Sequence, residues 1–196
     1  MRNLILITLL FIVFQGKAQT TKPIDGFLGI KFGSSAAQVT EALKAKGAVL
    51  DKENSKPGLL MFDNFSLSGR KAVACFVHMV NDQAYGAVLA FKPAQEAKSI
   101  EYYNALVKDI SDVYGTGKDR KKFKPPYTEG DGYEITAIKT GNADYQTNWI
   151  DGPNYIIASV EQDTKANELT VRLYYTDGKL NKVFKEQQKA QNKSEF

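Results

Sequence analysis

The residues best suited to chemistry are scarce. His78 and Cys75 are the only histidine and the only cysteine in the 196-residue chain. Any Ser-His-Asp arrangement must run through His78, which sits in Phe76-Val77-His78-Met79-Val80, and no Gly-x-Ser-x-Gly elbow accompanies it. A strand histidine with such neighbours reads as a partly buried, hydrogen-bonded side chain rather than a general base. Cys75, within Ala72 to Val77, reads as a small buried hydrophobe. A nucleophilic thiol needs a basic neighbour, and His78 falls on the opposite face of a strand from Cys75. One Cys and one His do not make a zinc set, so neither a metal nor a cofactor is expected.

Carboxylates are plentiful, which keeps a small carboxylate-dependent hydrolase as an alternative. Their positions speak against it: Asp51, Glu53, Asp63, Asp82, Asp151, Asp163 and Asp177 fall in turns or caps, and Asp109 and Asp112 lie off the apolar stripe of their helix. Nothing resembles a calcium loop, with Asp144, Asp151 and Asp163 scattered. Gly115-Thr116-Gly117-Lys118 follows a helix instead of opening one, so it is no phosphate cradle.

Two features suit binding better than catalysis. Lys118, Arg120, Lys121, Lys122 and Lys124 crowd around Phe123 and Tyr127, a composition that answers a polyanion or forms a solvated loop. The second half also carries Tyr133, Tyr145, Trp149, Tyr155 and Tyr174. On alternating strands some of these face the core and others point outward, where Tyr and Trp give large contact area with few rotors.

The elements that must position them follow from periodicity. Ser34 or Ser35 caps a first helix, with Gln38 completing a capping box, Val39, Ala42 and Leu43 as its inner stripe, and Gly47 ending it. Period-two runs at Leu59 to Leu67, Ala72 to Val80 and Ala84 to Phe91 predict antiparallel strands. Pro93 opens a second helix whose stripe runs from Ile100 to Tyr114 and stops at Gly115. A basic loop from Gly117 to about Asp131 precedes four more strand-like runs: Tyr133 to Lys139, Ala143 to Ile150, Tyr155 to Gln162 and Glu168 to Tyr175. Asp177 caps a last helix carrying Leu180, Val183 and Phe184, which frays into the polar tail at 187–196. The fold class is therefore α+β: an antiparallel meander sheet with helices on one face, built from a duplicated αβββ(β) unit with halves at 26–92 and 93–176 of a single domain spanning 19–186.

The start of the chain reads as a secretory signal. Arg2 precedes an apolar run from Leu4 to Phe14, and small residues up to Ala18 follow. Eleven residues rise about 16 Å as a helix, about half of a hydrocarbon core that needs roughly 20 residues to cross. Cleavage after Ala18 removes Arg2 and Lys17 and no acid, taking the formal charge from +4 to +2. So small an excess gives little steering toward nucleic acid. With one cysteine there is no internal disulfide and no acylated cysteine after the leader. A periplasmic or secreted protein without a transmembrane segment in its mature form is expected.

The opening Phe27-x-Gly29-Ile30-x-Phe32-Gly33-Ser34-Ser35, the helix closing in Tyr114-Gly115, Trp149 before a turn, and Leu173-Tyr174-Tyr175 resemble small exported proteins of Gram-negative bacteria, Bacteroidetes in particular, with no assigned activity. The helix-plus-meander layout is distantly similar to the β-lactamase-inhibitor-protein-like fold and to small outer-membrane assembly lipoproteins. That resemblance implies a protein-binding module and supplies no catalytic residue. The leading expectation is a non-catalytic exported binding module contacting a protein or envelope glycan through an aromatic sheet face. Polyanion binding through residues 118–124 stands beside it, and nucleic acid is not an expected partner.

Overall fold

The computed structural model of the chain describes residues 21–164 and 166–194, so the leader expected at 1–18 lies outside the described residues. A two-residue ribbon, β1 (Gly26–Phe27) and β2 (Ile30–Lys31), leads into α1 (Ala36–Lys44). The capping box forms as the sequence requires: Gln38 N–H donates to Ser35 Oγ, and Ser35 N–H donates to Gln38 Oε1. Four strands of a large sheet follow, β3 (Val49–Lys56), β4 (Leu59–Asp63), β7 (Ala74–Val80) and β8 (Gln83–Phe91), with a small ribbon of β5 (Ser66–Leu67) and β6 (Arg70–Lys71) between the middle two. Asn81 and Asp82 both take positive φ, which a two-residue hairpin joining β7 to β8 demands.

The second half repeats the plan. A 3-10 turn at Glu96–Lys98 enters α2 (Ser99–Tyr114), and β9 (Lys118–Phe123), α3 (Glu134–Lys139), β10 (Ala143–Asp151), β11 (Asn154–Asp163) and β12 (Glu168–Thr176) follow. The eight long strands form one antiparallel sheet in the order β3-β4-β7-β8-β12-β11-β10-β9. Each half is thus a helix followed by a four-strand meander, and the last strands of the two meanders pair at the centre.

The expected strand at Tyr133 to Lys139 is instead α3. Ile135 and Ile138 stand one turn apart, Glu134 lies in the first turn and Lys139 in the last, a placement that suits a helix and its dipole. Conversely, the expected basic loop contains β9, whose charged outer edge discourages further strand pairing. The polar run Val49–Lys56, to which no element was assigned from the sequence, forms the opposite edge with a register shift between Asp51 and Lys56.

One apolar cluster joins both halves. Val39 and Leu43 of α1, Tyr103, Leu106 and Ile110 of α2, and Ile138 of α3 meet Phe62, Cys75, Val77, Leu89, Ile156, Ala158 and Leu173 of the sheet. Each fully buried Leu, Ile or Phe there contributes about 1.5–3 kcal/mol. Helices α1 to α3 lie on this face, as expected from the sequence. The last helix, α4 (Gly178–Ser194), differs in two ways. It continues through the segment read as a frayed tail, and it crosses to the other face, where Phe184 stacks on Tyr85 and Asn181 meets the Tyr155 hydroxyl. Leu180 N–H donates to Asp177 Oδ1, the cap expected from the sequence.

Candidate functional site

The second face of the sheet is covered at one end by α4 and is otherwise open among the described residues. Strand registers define what it presents. One row crosses all eight strands: Asp51, Met61, Phe76, Val88, Tyr174, Ile157, Asn148 and Lys118. Its middle is apolar and aromatic, with an acid at one edge and a cation at the other. The next row runs Ala74, Ala90, Arg172, Ser159, Gln146 and Arg120. Two alanines in sequence lower the surface beside Phe76 and Val88, and Arg172 rises next to them.

A polar network holds the centre. The Glu161 carboxylate accepts from Ser159 Oγ at 2.6 Å, from Tyr174 OH at 2.9 and 3.0 Å, and from Arg172 Nη1 at 3.1 Å. Burial pushes the Tyr174 phenol up to about 12, and the neighbouring Glu161 charge acts in the same direction. The hydroxyl therefore stays a donor across the physiological range. Asn148 Oδ1 is buried with no hydrogen-bond partner among the described residues, a state that costs about 1–3 kcal/mol.

These partners were largely missed in the sequence, although parity carried the signal. Leu169, Val171, Leu173 and Tyr175 alternate with Thr170, Arg172, Tyr174 and Thr176 along β12, and only the first set joins the core cluster. Reading the alternation through to β11 puts Ile157, Ser159 and Glu161 on the same face as Tyr174.

The residues singled out from the sequence separate across the sheet. Tyr155 and Tyr174 lie on the open face, and Lys118, Arg120 and Lys122 project from it along β9. Tyr145 and Trp149 do not: at 6% and 3% exposure they belong to the covered core. Tyr145 meets Tyr103 edge-on at 5.1 Å, and Trp149 Nε1 donates to the Gly115 carbonyl at 2.8 Å. A Cβ on Gly117 would come within 2.6 Å of the Trp149 ring, so glycine permits that packing. Lys121 turns inward over the Tyr145 ring at 4.8 Å and pairs with Asp119 and Glu129. Lys124 donates to the Gly141 carbonyl, and Tyr133 is exposed at the start of α3. The basic segment is therefore split by strand alternation, with three cations on the open face and Lys121 on the other.

The residues with catalytic potential are held in quiet states. Cys75 is buried on the covered face, its thiol pushed up to about 12 by burial, while His78 lies on the open face beside Tyr85 at 5.7 Å. Burial holds the His78 imidazole below its ordinary value, favouring the neutral ring. Among the described residues no three His, Cys, Asp or Glu side chains gather as a metal site. The carboxyls with displaced acidity are all lowered: Asp25 by Lys31, Asp51 by Asn54, Glu96 by Lys139 and Asp119 by Thr147. No described helix is long and apolar enough to cross a membrane.

No protein family, characterised protein or solved structure matches the chain. What the surface does must be read from its own geometry.

Proposed function

We propose that the chain is an exported, non-catalytic binding module that takes a protein partner on the open face of its sheet. The observation that carries this reading is the Glu161–Arg172–Tyr174–Ser159 network, which holds an arginine and a tyrosine in fixed positions on an uncovered surface. Pre-positioned side chains lose less entropy on binding, and Tyr and Arg are the residues that dominate contact energies. Half-buried Phe76, Val88 and Ile157 around them supply apolar area at the centre of the face.

Both sheet edges favour a partner on the face over an added strand. Strand β9 presents Lys118, Asp119, Arg120, Lys121 and Lys122 along its length, and β3 carries Asp51, Lys52 and Glu53 beside its bulge. The exposed row of Lys118, Arg120 and Lys122 asks for acidic residues on the partner at that rim, where charge steers encounter and fixes register.

A photocrosslinking amino acid at Val88 or Ile157, with Val113 on the outer side of α2 as the control position, tests the reading in exporting cells. A discrete protein adduct is expected from the two open-face sites and not from Val113, and Arg172→Glu should reduce it at least tenfold. Equal adducts from all three positions, or none from the open face, would overturn it. An adduct dissolved by glycan digestion would replace the protein partner by an envelope glycan.

A further inference from the structure

The basic segment at 118–124 is the densest run of cations in the sequence, but a longer row of them runs along α4. Lys179, Lys182, Lys185, Lys189 and Lys193 are spaced three, three, four and four residues apart, and Glu186 is the single acid between Gly178 and Ser194. At about 100° per residue the five lysines fall within roughly a third of the helix circumference and span about 21 Å. All five are exposed. The opposite side of the helix is already occupied: Leu180, Val183 and Phe184 are half-buried, Phe184 stacks on Tyr85 at 5.2 Å, and Gln187 donates to Asn81. Packing therefore holds the strip outward and leaves no free apolar side on the first turns to insert into a bilayer.

We propose that this lysine strip is an electrostatic docking surface for an anionic lipid layer, separate from the open sheet face. Charge complementarity selects the class of partner, and side-chain type selects among anions. Every cation in the strip is a lysine, a hydrated point charge without the planar fork with which arginine grips a phosphate or a base edge. No aromatic ring lies among them to stack a nucleobase. A straight row of mobile ammonium groups suits a flat field of headgroups, which each lysine near the surface favours by roughly fivefold in affinity. Lys182 has Glu186 within 3.9 Å, so the outer three carry most of the attraction. Because no apolar insertion contributes, binding is peripheral and is lost as the Debye length falls to about 3 Å at 1 M salt.

Co-sedimentation of the full chain with vesicles of phosphatidylglycerol and phosphatidylcholine, against phosphatidylcholine alone, tests it. The apolar run at 4–14 is common to every variant and both vesicle types, so differences report the cations. Lys185→Gln, Lys189→Gln and Lys193→Gln together should weaken binding to the anionic vesicles about a hundredfold, since glutamine keeps helix propensity. Lys118→Gln, Arg120→Gln and Lys122→Gln together remove the same charge from β9 and should change it less than threefold, with far-ultraviolet circular dichroism unchanged in both. Equal weakening by the two triple variants would reduce the effect to net charge and overturn the strip, as would binding indifferent to both. Displacement of the chain from vesicles by a stoichiometric oligonucleotide would overturn the lipid assignment. Crosslinking from Val88 should survive the α4 substitutions, which keeps the two surfaces distinguishable.

Discussion

The two faces of one sheet are made from the same strands and have opposite characters. On the covered face Leu89, Leu173, Ile156 and Val77 are fully buried beneath three helices, and the polar atoms that enter, such as the Tyr103 and Thr147 hydroxyls, pair at 2.5 Å. On the open face a carboxylate, a guanidinium and a phenol share the centre with Val88 and Ile157, and Asn148 keeps an unpaired carbonyl. The first face is arranged for stability. The second holds charged and polar groups at its centre, although an unpartnered buried atom is not peculiar to it: among the described residues Ser99 Oγ, at the start of α2, also lacks a partner on the helix side.

That contrast can be broken by paired substitutions. Leu173→Ala on the covered face should lower unfolding free energy by about 3 kcal/mol, from lost transfer energy and the cavity left behind. Ile157→Ala, on the neighbouring strand but on the other side of the sheet, should cost about 1 kcal/mol or less. Urea unfolding of the two variants checks this, and equal losses would mean that both faces are core. A smaller effect of opposite sign is expected from Asn148→Val, which should raise stability by about 1 kcal/mol by removing a buried acceptor that has no partner. The same variant should weaken crosslinking from Val88, and a stability loss instead would show that Asn148 is satisfied.

The smallest effect concerns pH. His78 lies beside Tyr85, with its folded-state value below the ordinary 6.5 because burial disfavours the charged ring. A lowered folded value means the neutral ring stabilises the fold fully above pH 6.5, and that contribution is lost as pH falls through the folded value. The lowered carboxyls of Glu96 and Asp119 follow the same sign, with their windows below about pH 4. His78→Gln should therefore abolish the loss of stability that begins below pH 6.5 and leave the steeper acid loss in place. Unfolding midpoints measured from pH 7.5 to 3 would show a single acid transition in the variant and two stages in the parent.

Much of the architecture was legible because local rules sufficed. Ser35 and Gln38 announce a helix start through two reciprocal hydrogen bonds, and the stripe from Ile100 to Tyr114 admits one helix face. The failures share a cause. Segment 118–123 is charged and 49–56 is polar, so neither carries an apolar alternation, yet each becomes a strand because a neighbouring edge offers unpaired backbone groups. At 133–139 a seven-residue segment is too short for period two and period three to separate, and packing against β10 and β11 chose the helix.

For the candidate site, the amino-acid order alone determined the scarcity of catalytic side chains, the antiparallel meanders and the alternation that puts Arg172 and Tyr174 on one side of their strand. Which side of the sheet would be roofed was decided only in three dimensions. Three helices took the face bearing Tyr145 and Trp149, removing both from contact, while α4 crossed over and turned its lysines outward. Parity is a property of neighbours along a strand, whereas the choice of covered face depends on total apolar area summed over eight strands that meet only when folded.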